Sequence, residues 1–194
     1  MGQERFYRKL HNSKDLVHFI LKVEQTDLNI GAGKMLSKES IQLIKKYRRN
    51  IENYIKEVPE FLTSLEPLSY RFDAPSIIKQ MSVAAERADV GPMAAVAGAI
   101  AQYVGEGLLK FSPEIIVENG GDIYIKSSRE RIIGVYAGDS PLSGKIGIKI
   151  YPEDCPMGIC TSSGKIGHSL SFGHADAVIV MSKDVALADA VATA

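Results

Sequence analysis

Two adjacent glycines, Gly120 and Gly121, join two short runs in which apolar and polar residues alternate. The turn reads Asn-Gly-Gly-Asp, and Asn-Gly between alternating runs is a strong indicator of a β-hairpin. We therefore expect Glu114–Glu118 and Ile123–Lys126 to pair as antiparallel strands. Later segments carry strand patterns of the same kind: Arg131–Ala137, Lys145–Tyr151, Ile159–Thr161 and Ala175–Met181. The second half of the chain thus predicts a largely antiparallel sheet.

The first half of the chain is mainly helical by pattern. Residues 16–24 alternate as one strand, and residues 26–30 continue the alternation, either as its hairpin partner or as part of one long bent strand. Apolar residues at helical spacing predict a helix over 38–57, with Ser37 as its N-cap, and another over 76–88. Helices before strands indicate an α+β class.

A further helix, over about residues 92–104, consists almost wholly of Ala, Gly, Val and Ile. Such small side chains let another backbone or a ligand approach closely. The helix that starts at Gly91-Pro92-Met93 offers the unpaired N–H groups of its first turn and the positive end of its dipole, which suit an anion such as phosphate. A tightly packed central helix without a ligand accounts for the same composition, so both interpretations stay open.

The last predicted helix carries Asp189 and Thr193. Helical side chains four residues apart lie on one face, so a carboxylate and a hydroxyl point at the same spot. Both are hard oxygen ligands of the type that Mg²⁺ accepts. The alternative is an ordinary solvated Asp and a Thr that bonds to its own backbone. The helix reaches Ala194 without a cap, from which we expect the natural chain to continue.

Composition limits the class of protein. The 194 residues suit one domain over 1–194, with 1–15 as an N-terminal extension. Because 23 basic residues balance 23 acidic ones, we expect no nucleic-acid partner. The absence of a long apolar run or signal pattern predicts a cytoplasmic protein that does not enter membranes. Cys155 and Cys160 are interpreted as structural thiols, and a two-fold homodimer is the assembly we expect if the chain associates.

Three motifs, in this order, resemble those of the ApbE superfamily, whose best-known members are FAD:protein FMN transferases. Asn119-Gly120-Gly121-Asp122-Ile123 is similar to the N-x-G-G-D-I hairpin, and Thr161-Ser162-Ser163-Gly164 is similar to the T-S-G turn. Ala188–Ala194 is similar to the terminal A-D-A-x-A-T-A helix. From about Asp15 onward the chain looks most like a prokaryotic ApbE-like subfamily.

The resemblance implies an ApbE-like fold and a site for Mg²⁺ and FAD. It implies that Asp189, Thr193 and a backbone carbonyl near Met93 or Ala94 hold the metal. The metal would bridge the FAD pyrophosphate and neutralise charge on the departing AMP. The resemblance also implies that the segments Asn119–Asp122 and Thr161–Gly164 line the nucleotide pocket. The implied partner is thus a small nucleotide, and the reaction is flavin or phosphoryl transfer or pyrophosphate cleavage.

Departures from the family pattern keep other functions open. The His-Ile-Ile-Asp-Pro segment of the transferases is replaced by a Gly/Ser-rich loop that contains His168 and His174. His168 is our candidate general base, and a loop histidine bonded to backbone is the alternative. Ala94 and Ala95 stand where the family has a lysine. The alternatives are therefore a non-catalytic nucleotide-binding module, or an enzyme for another small phosphorylated or heterocyclic substrate.

Overall fold

Antiparallel strands form the framework of the molecule. The structure, a computed structural model, describes residues 13–135, 143–162, 175 and 177–194. Within these residues a six-stranded sheet has the order β1-β2-β3-β4-β7-β8, and each neighbouring pair is antiparallel. Its strands are β1 (Val17–Val23), β2 (Thr26–Ala32), β3 (Ile115–Asn119), β4 (Asp122–Lys126), β7 (Met157–Ser162) and β8 (Val178–Ser182). The predicted α+β class with a largely antiparallel sheet is confirmed.

Helices cover one face of this sheet. They are α1 (Ser37–Glu57), α2 (Glu60–Thr63), α3 (Ser76–Ala88), α4 (Val96–Leu108) and α5 (Val185–Thr193). Alternation in the strands turns Leu28, Ile30, Val117 and Tyr124 toward them, and these side chains are buried with Ile44 of α1 and Ile77 of α3. Burial of such side chains stabilises a fold by about 1.5–3 kcal/mol each, which explains why the apolar stripes predict these elements well.

A separate two-stranded sheet covers part of the other face. Its strands, β5 (Arg131–Gly134) and β6 (Gly147–Ile150), pair with each other in the part of the chain that the structure describes. Ile133 and Ile150 pack there on isoleucines of the main sheet: Ile116, Ile123, Ile125 and Ile159. The sequence predicted both strands but not their separation from the main sheet, because alternation does not specify the pairing partner.

Two helix boundaries differ from the predictions. The segment predicted as a helix over 92–104 begins with a 3-10 turn, Pro92–Ala95, and only then becomes α4, which continues to Leu108. Ser37 is not an N-cap, because α1 begins at Ser37 itself and its hydroxyl donates to Met35 Sδ. Among the described residues, no helix is both long and apolar enough to cross a bilayer.

Candidate functional site

The β3–β4 hairpin brings an acidic residue under the start of α4. Asn119 pairs with Asp122 across the turn, and Gly120 and Gly121 adopt φ values of +71° and +120°. The Asn119 side chain donates from Nδ2 to the Ala97 carbonyl oxygen at 3.0 Å, which ties the hairpin to the first turn of α4. On the neighbouring strand β7, the backbone of Thr161 hydrogen-bonds to the buried Asp122 carboxylate. The predicted hairpin and Thr161 thus meet at one place.

Helix α5 brings a second carboxylate to the same helix start. Asp189 Oδ2 accepts a hydrogen bond from the Gly98 N–H at 2.8 Å, and Ala97 contributes a further backbone hydrogen bond. N–H groups in the first turn of a helix have no acceptor within the helix, so Asp189 supplies one from another element. A Cβ on Gly98 would lie 2.5 Å from the Val185 carbonyl oxygen and 2.8 Å from Asp189 Cβ. Only glycine lets the two helices approach this closely.

Asp122 and Asp189 both bind a proton more tightly than an exposed aspartate does. Burial raises the pKa of Asp122 to about 7, with a further contribution from the Glu118 carboxylate. Burial also raises the pKa of Asp189 well above its usual range, and the negative charge of Asp122 adds to this shift. Hydrogen bonds from Gly98 and Ala97 act in the opposite direction. The result is a buried spot where ionisation of the two carboxyls is unfavourable without a counter-charge, and where each carboxyl supplies oxygen atoms.

Cys160, expected from the sequence to be a structural thiol, lies next to the candidate site. Its thiol is buried, 3.5 Å from the Val185 carbonyl oxygen, and lies beside Asp122. Burial and the charges of Asp122 and Asp189 raise the pKa of this thiol well above its usual range, so it is an unreactive neutral group. Its place directly before Thr161 on an alternating strand was the available signal, because alternation turns it toward the helices.

The other predicted site residues have varied surroundings. Gly91 and Pro92 are buried, and a Cβ on Gly91 would lie 1.8 Å from the Ser64 carbonyl oxygen, so packing explains this glycine. Met93 and Ala94 are half-buried in the 3-10 turn, against which α5 packs. Thr193 is buried one helical turn after Asp189, and Ser162 ends β7 half-buried. Ser163, Gly164 and His168 lie outside the described residues.

The donor atoms present suit a hard cation. Among the described residues, no three His, Cys, Asp or Glu side chains lie close enough to share a metal ion. A site for Mg²⁺ does not need such a set, because Mg²⁺ takes one or two carboxylates together with neutral oxygens and water. Asp189, Thr193 and a carbonyl of the 3-10 turn are donors of this kind. A divalent cation would also offset the repulsion between the ionised forms of Asp122 and Asp189.

A cavity elsewhere in the molecule has a different character. It measures about 240 Å³ and lies between α1 and the segment before α3. Its charged lining residues pair with one another, because Arg71 bonds to Glu57 at 2.7 Å and to Asp73 at 2.9 Å. Because these charges satisfy one another, we place the candidate site at α4 and α5 instead.

The architecture defines the class of protein. It matches the flavin transferase ApbE from Vibrio cholerae with a TM-score of 0.55 at 14% identity, covering 92% of this chain and 85% of that one. It also matches the apo flavinyl transferase ApbE of Pseudomonas stutzeri, with a TM-score of 0.51 at 13% identity over 92% and 82% of the two chains. At such low identity the likeness shows the fold, so this is an ApbE-like fold.

The sequence comparisons then identify the family. A family model described as AbpE bacteria matches residues 8–194, and the chain belongs to this family. A UPF0280 protein of Methanococcus aeolicus is 44% identical over 185 residues, which is 92% of this chain and 73% of the relative. A UPF0280 protein of Methanocaldococcus jannaschii is 47% identical over 159 residues, 81% of this chain and 64% of the relative. The alignments thus leave part of each relative's length unmatched.

Proposed function

We propose that this chain binds FAD in a Mg²⁺-dependent manner where α4, α5 and the β3–β4 hairpin meet. The proposed reaction is transfer of the flavin or phosphoryl group, or cleavage of the FAD pyrophosphate. Support comes from the ApbE-like fold, which the chain shares with two solved proteins that are flavin transferases by name, and from the donor set around Asp189. The partner is accordingly a small nucleotide.

In this proposal each element supplies one kind of contact. Asp189, Thr193 and the Ala94 carbonyl hold Mg²⁺, and bound Mg²⁺ would neutralise charge on the pyrophosphate. The nucleotide contacts three backbone segments: Gly91–Met93, Asn119–Asp122 and Thr161–Gly164. Backbone N–H groups of such turns suit phosphate oxygens. His168 remains a prediction for the general base.

The observation that carries the proposal is the environment of Asp189. A buried carboxylate beside a second buried carboxylate is unfavourable unless a proton or a cation offsets the repulsion. Two backbone N–H groups orient Asp189 but bring no full positive charge. A surface aspartate that merely increases the polarity of a helix would not be buried in this way.

Incubation with FAD and MgCl₂, followed by chromatography for AMP and FMN, tests the proposal. We expect both products from the wild type, and none above background from Asp189→Asn. The substitution preserves shape but removes the charge that holds the metal, so Mg²⁺-dependent FAD affinity should fall by about tenfold or more. Asp73→Asn, at an exposed aspartate remote from the site, is the matched control and should behave as the wild type. Equal product from Asp189→Asn would overturn the assignment.

A non-catalytic nucleotide-binding module is the second candidate. Ala94 and Ala95 favour it, because they leave this helix start without the family's lysine. It predicts FAD binding with no AMP even after long incubation. AMP release that Asp189→Asn abolishes would exclude this candidate.

A further inference from the structure

The beginning of α5 lies at a junction of three helices. Asp184 caps α5, because its Oδ1 accepts a hydrogen bond from the Leu187 N–H at 3.1 Å. Gln80 of α3 donates to the same oxygen at 2.9 Å. Gln102 of α4 accepts the Val185 N–H at 2.9 Å, and the Gln80 side-chain amide donates to the same Gln102 oxygen at 3.1 Å. The first turn of α5 is therefore held from two neighbouring helices.

Two contacts, one helical turn apart, define how α5 lies along α4. Gly98 and Gln102 are four residues apart on α4, and Val185 and Asp189 are four residues apart on α5. Gln102 bonds to Val185 at one end of the contact, and Gly98 bonds to Asp189 at the other. The helices run antiparallel through this contact. A shift of α5 along its axis would break both hydrogen bonds together.

The orientation of the Gln102 amide follows from its partners. The Val185 N–H can only donate, so the Gln102 atom that faces it must be the carbonyl oxygen. Gln102 Nε2 then points away and donates to Glu106 at 2.9 Å. An apolar side chain of similar size would fill the same space but would leave the Val185 N–H without this acceptor.

We propose that Gln102 is a positioning residue that sets the axial register of α5 and so places the Asp189 carboxylate, with Gln80 holding the Gln102 oxygen toward α5. The part of this inference that concerns metal affinity rests on the proposed function. The part that concerns the place of Asp189 depends only on the contacts between α4 and α5.

Amide hydrogen exchange of the metal-free, ¹⁵N-labelled full chain tests the placement. The Gly98 N–H lies in the first turn of α4, where Asp189 supplies its acceptor, so its protection reports directly on Asp189. For Gln102→Leu we expect exchange at Gly98 to accelerate about tenfold more than at Val104 of the same helix. In a second measurement, Mg²⁺ is titrated in the presence of FAD and binding is monitored through the melting temperature. The Mg²⁺ concentration at the midpoint should be at least about fivefold higher for Gln102→Leu than for the wild type.

Ser40→Ala in α1 is the matched control, because it removes another buried hydrogen bond, from Ser40 Oγ to the Leu36 carbonyl. It should change exchange at Gly98 and Val104 by the same factor and leave the Mg²⁺ midpoint unchanged. Gln80→Leu keeps the hydrogen bond from Val185 to Gln102, so exchange at Gly98 should accelerate by a smaller factor, about threefold. This variant replaces Gln102→Leu in the test if Gln102→Leu does not fold.

Unchanged Gly98 protection in the variants that fold would overturn the proposal. An equal loss of protection at Gly98 and Val104 would also overturn it, because equal losses would indicate general destabilisation of the helix. If the melting temperature of the wild type does not change when Mg²⁺ and FAD are added, the proposed function is refuted. The exchange data would still decide the role of Gln102.

Discussion

At the scale of single residues, Gly98 shows most directly how packing and chemistry depend on each other. Glycine in a helix interior costs about 1 kcal/mol relative to alanine. Here the absence of a side chain lets the Val185 carbonyl and Asp189 approach α4, and it leaves the Gly98 N–H accessible to the carboxylate. The intrinsic cost is thus offset by a close contact between helices.

We expect Gly98→Ala to destabilise the protein by about 1–3 kcal/mol, because the clash with a backbone oxygen outweighs the gain in helix propensity. Gly107→Ala on the same helix is the control. Its Cβ would meet Leu43 Cδ1 and Cδ2 at 2.8 Å, the mobile end of a half-buried side chain. Urea unfolding should therefore show a lower free energy of unfolding for Gly98→Ala and nearly the wild-type value for Gly107→Ala. Equal changes would contradict this account of the α4–α5 contact.

At the scale of elements, the two glycines of the hairpin differ in what they tolerate. Neither is crowded, since nothing lies within 4 Å of a Cβ on Gly120 and a Cβ on Gly121 would meet the Thr161 carbonyl at 3.5 Å. Their backbones differ, because asparagine readily adopts a φ near the +71° of Gly120 but not the +120° of Gly121. The two positions therefore have similar room for a side chain but differ in backbone conformation, so substitutions there report on conformation alone.

Gly120→Asn should be nearly neutral, whereas Gly121→Asn should cost about 1–2 kcal/mol of strain. Thermal melts of the two variants compare the same new side chain at adjacent positions. If Gly121→Asn is as stable as Gly120→Asn, the backbone conformation at position 121 does not require glycine.

Elements defined by local patterns could be predicted from the sequence, and tertiary contacts could not. The hairpin at Gly120 and the helices α1 and α3 follow from turn chemistry and from periodicity that is visible in a short window. The separate β5–β6 sheet depends on a choice of partner strand that alternation leaves undetermined. Cys160 and Gly98 belong to the site only through distant residues, so neither stood out. The spacing of Asp189 and Thr193 suggested a site and the family resemblance added Asp122, but neither indicated that the two carboxyl groups interact while buried.

At the scale of the whole molecule, one buried cation connects separate parts of the chain. Arg131, at the start of β5, is 3% exposed and bonds to Asp15 before β1 at 2.9 Å and to Glu114 before β3 at 2.9 Å. Ser127 and Ser128 donate to the same Glu114 carboxylate. This network attaches the small sheet and the segment before β1 to the main sheet, on the side away from the helices.

The network makes stability depend on acid pH. Hydrogen bonding to Arg131 lowers the pKa of Asp15 to about 2. Burial alone would raise the pKa of Glu114, but hydrogen bonds from Ser128, Ser127 and Arg131 lower it to about 2. The folded state therefore binds protons more weakly than the unfolded state. The resulting stabilisation is present above the unfolded pKa values and is lost as pH falls from above 4 to about 2.

Arg131→Met should remove much of this pH dependence. Without the cation, Asp15 loses the main partner that lowers its pKa, whereas Glu114 loses one partner and keeps its hydrogen bonds from Ser127 and Ser128. The free energy of unfolding should therefore fall less steeply between pH 5 and 2 than in the wild type. At pH 7 the variant should be about 3 kcal/mol less stable, because two partly buried carboxylates lose their counter-charge.

Arg71→Met is the control, since Arg71 also pairs with two carboxylates. Its side chain is 50% exposed, so solvent screening makes the effect of removing it small. Urea unfolding at several pH values measures both variants. Parallel pH curves for wild type and Arg131→Met would show that other groups set the acid sensitivity.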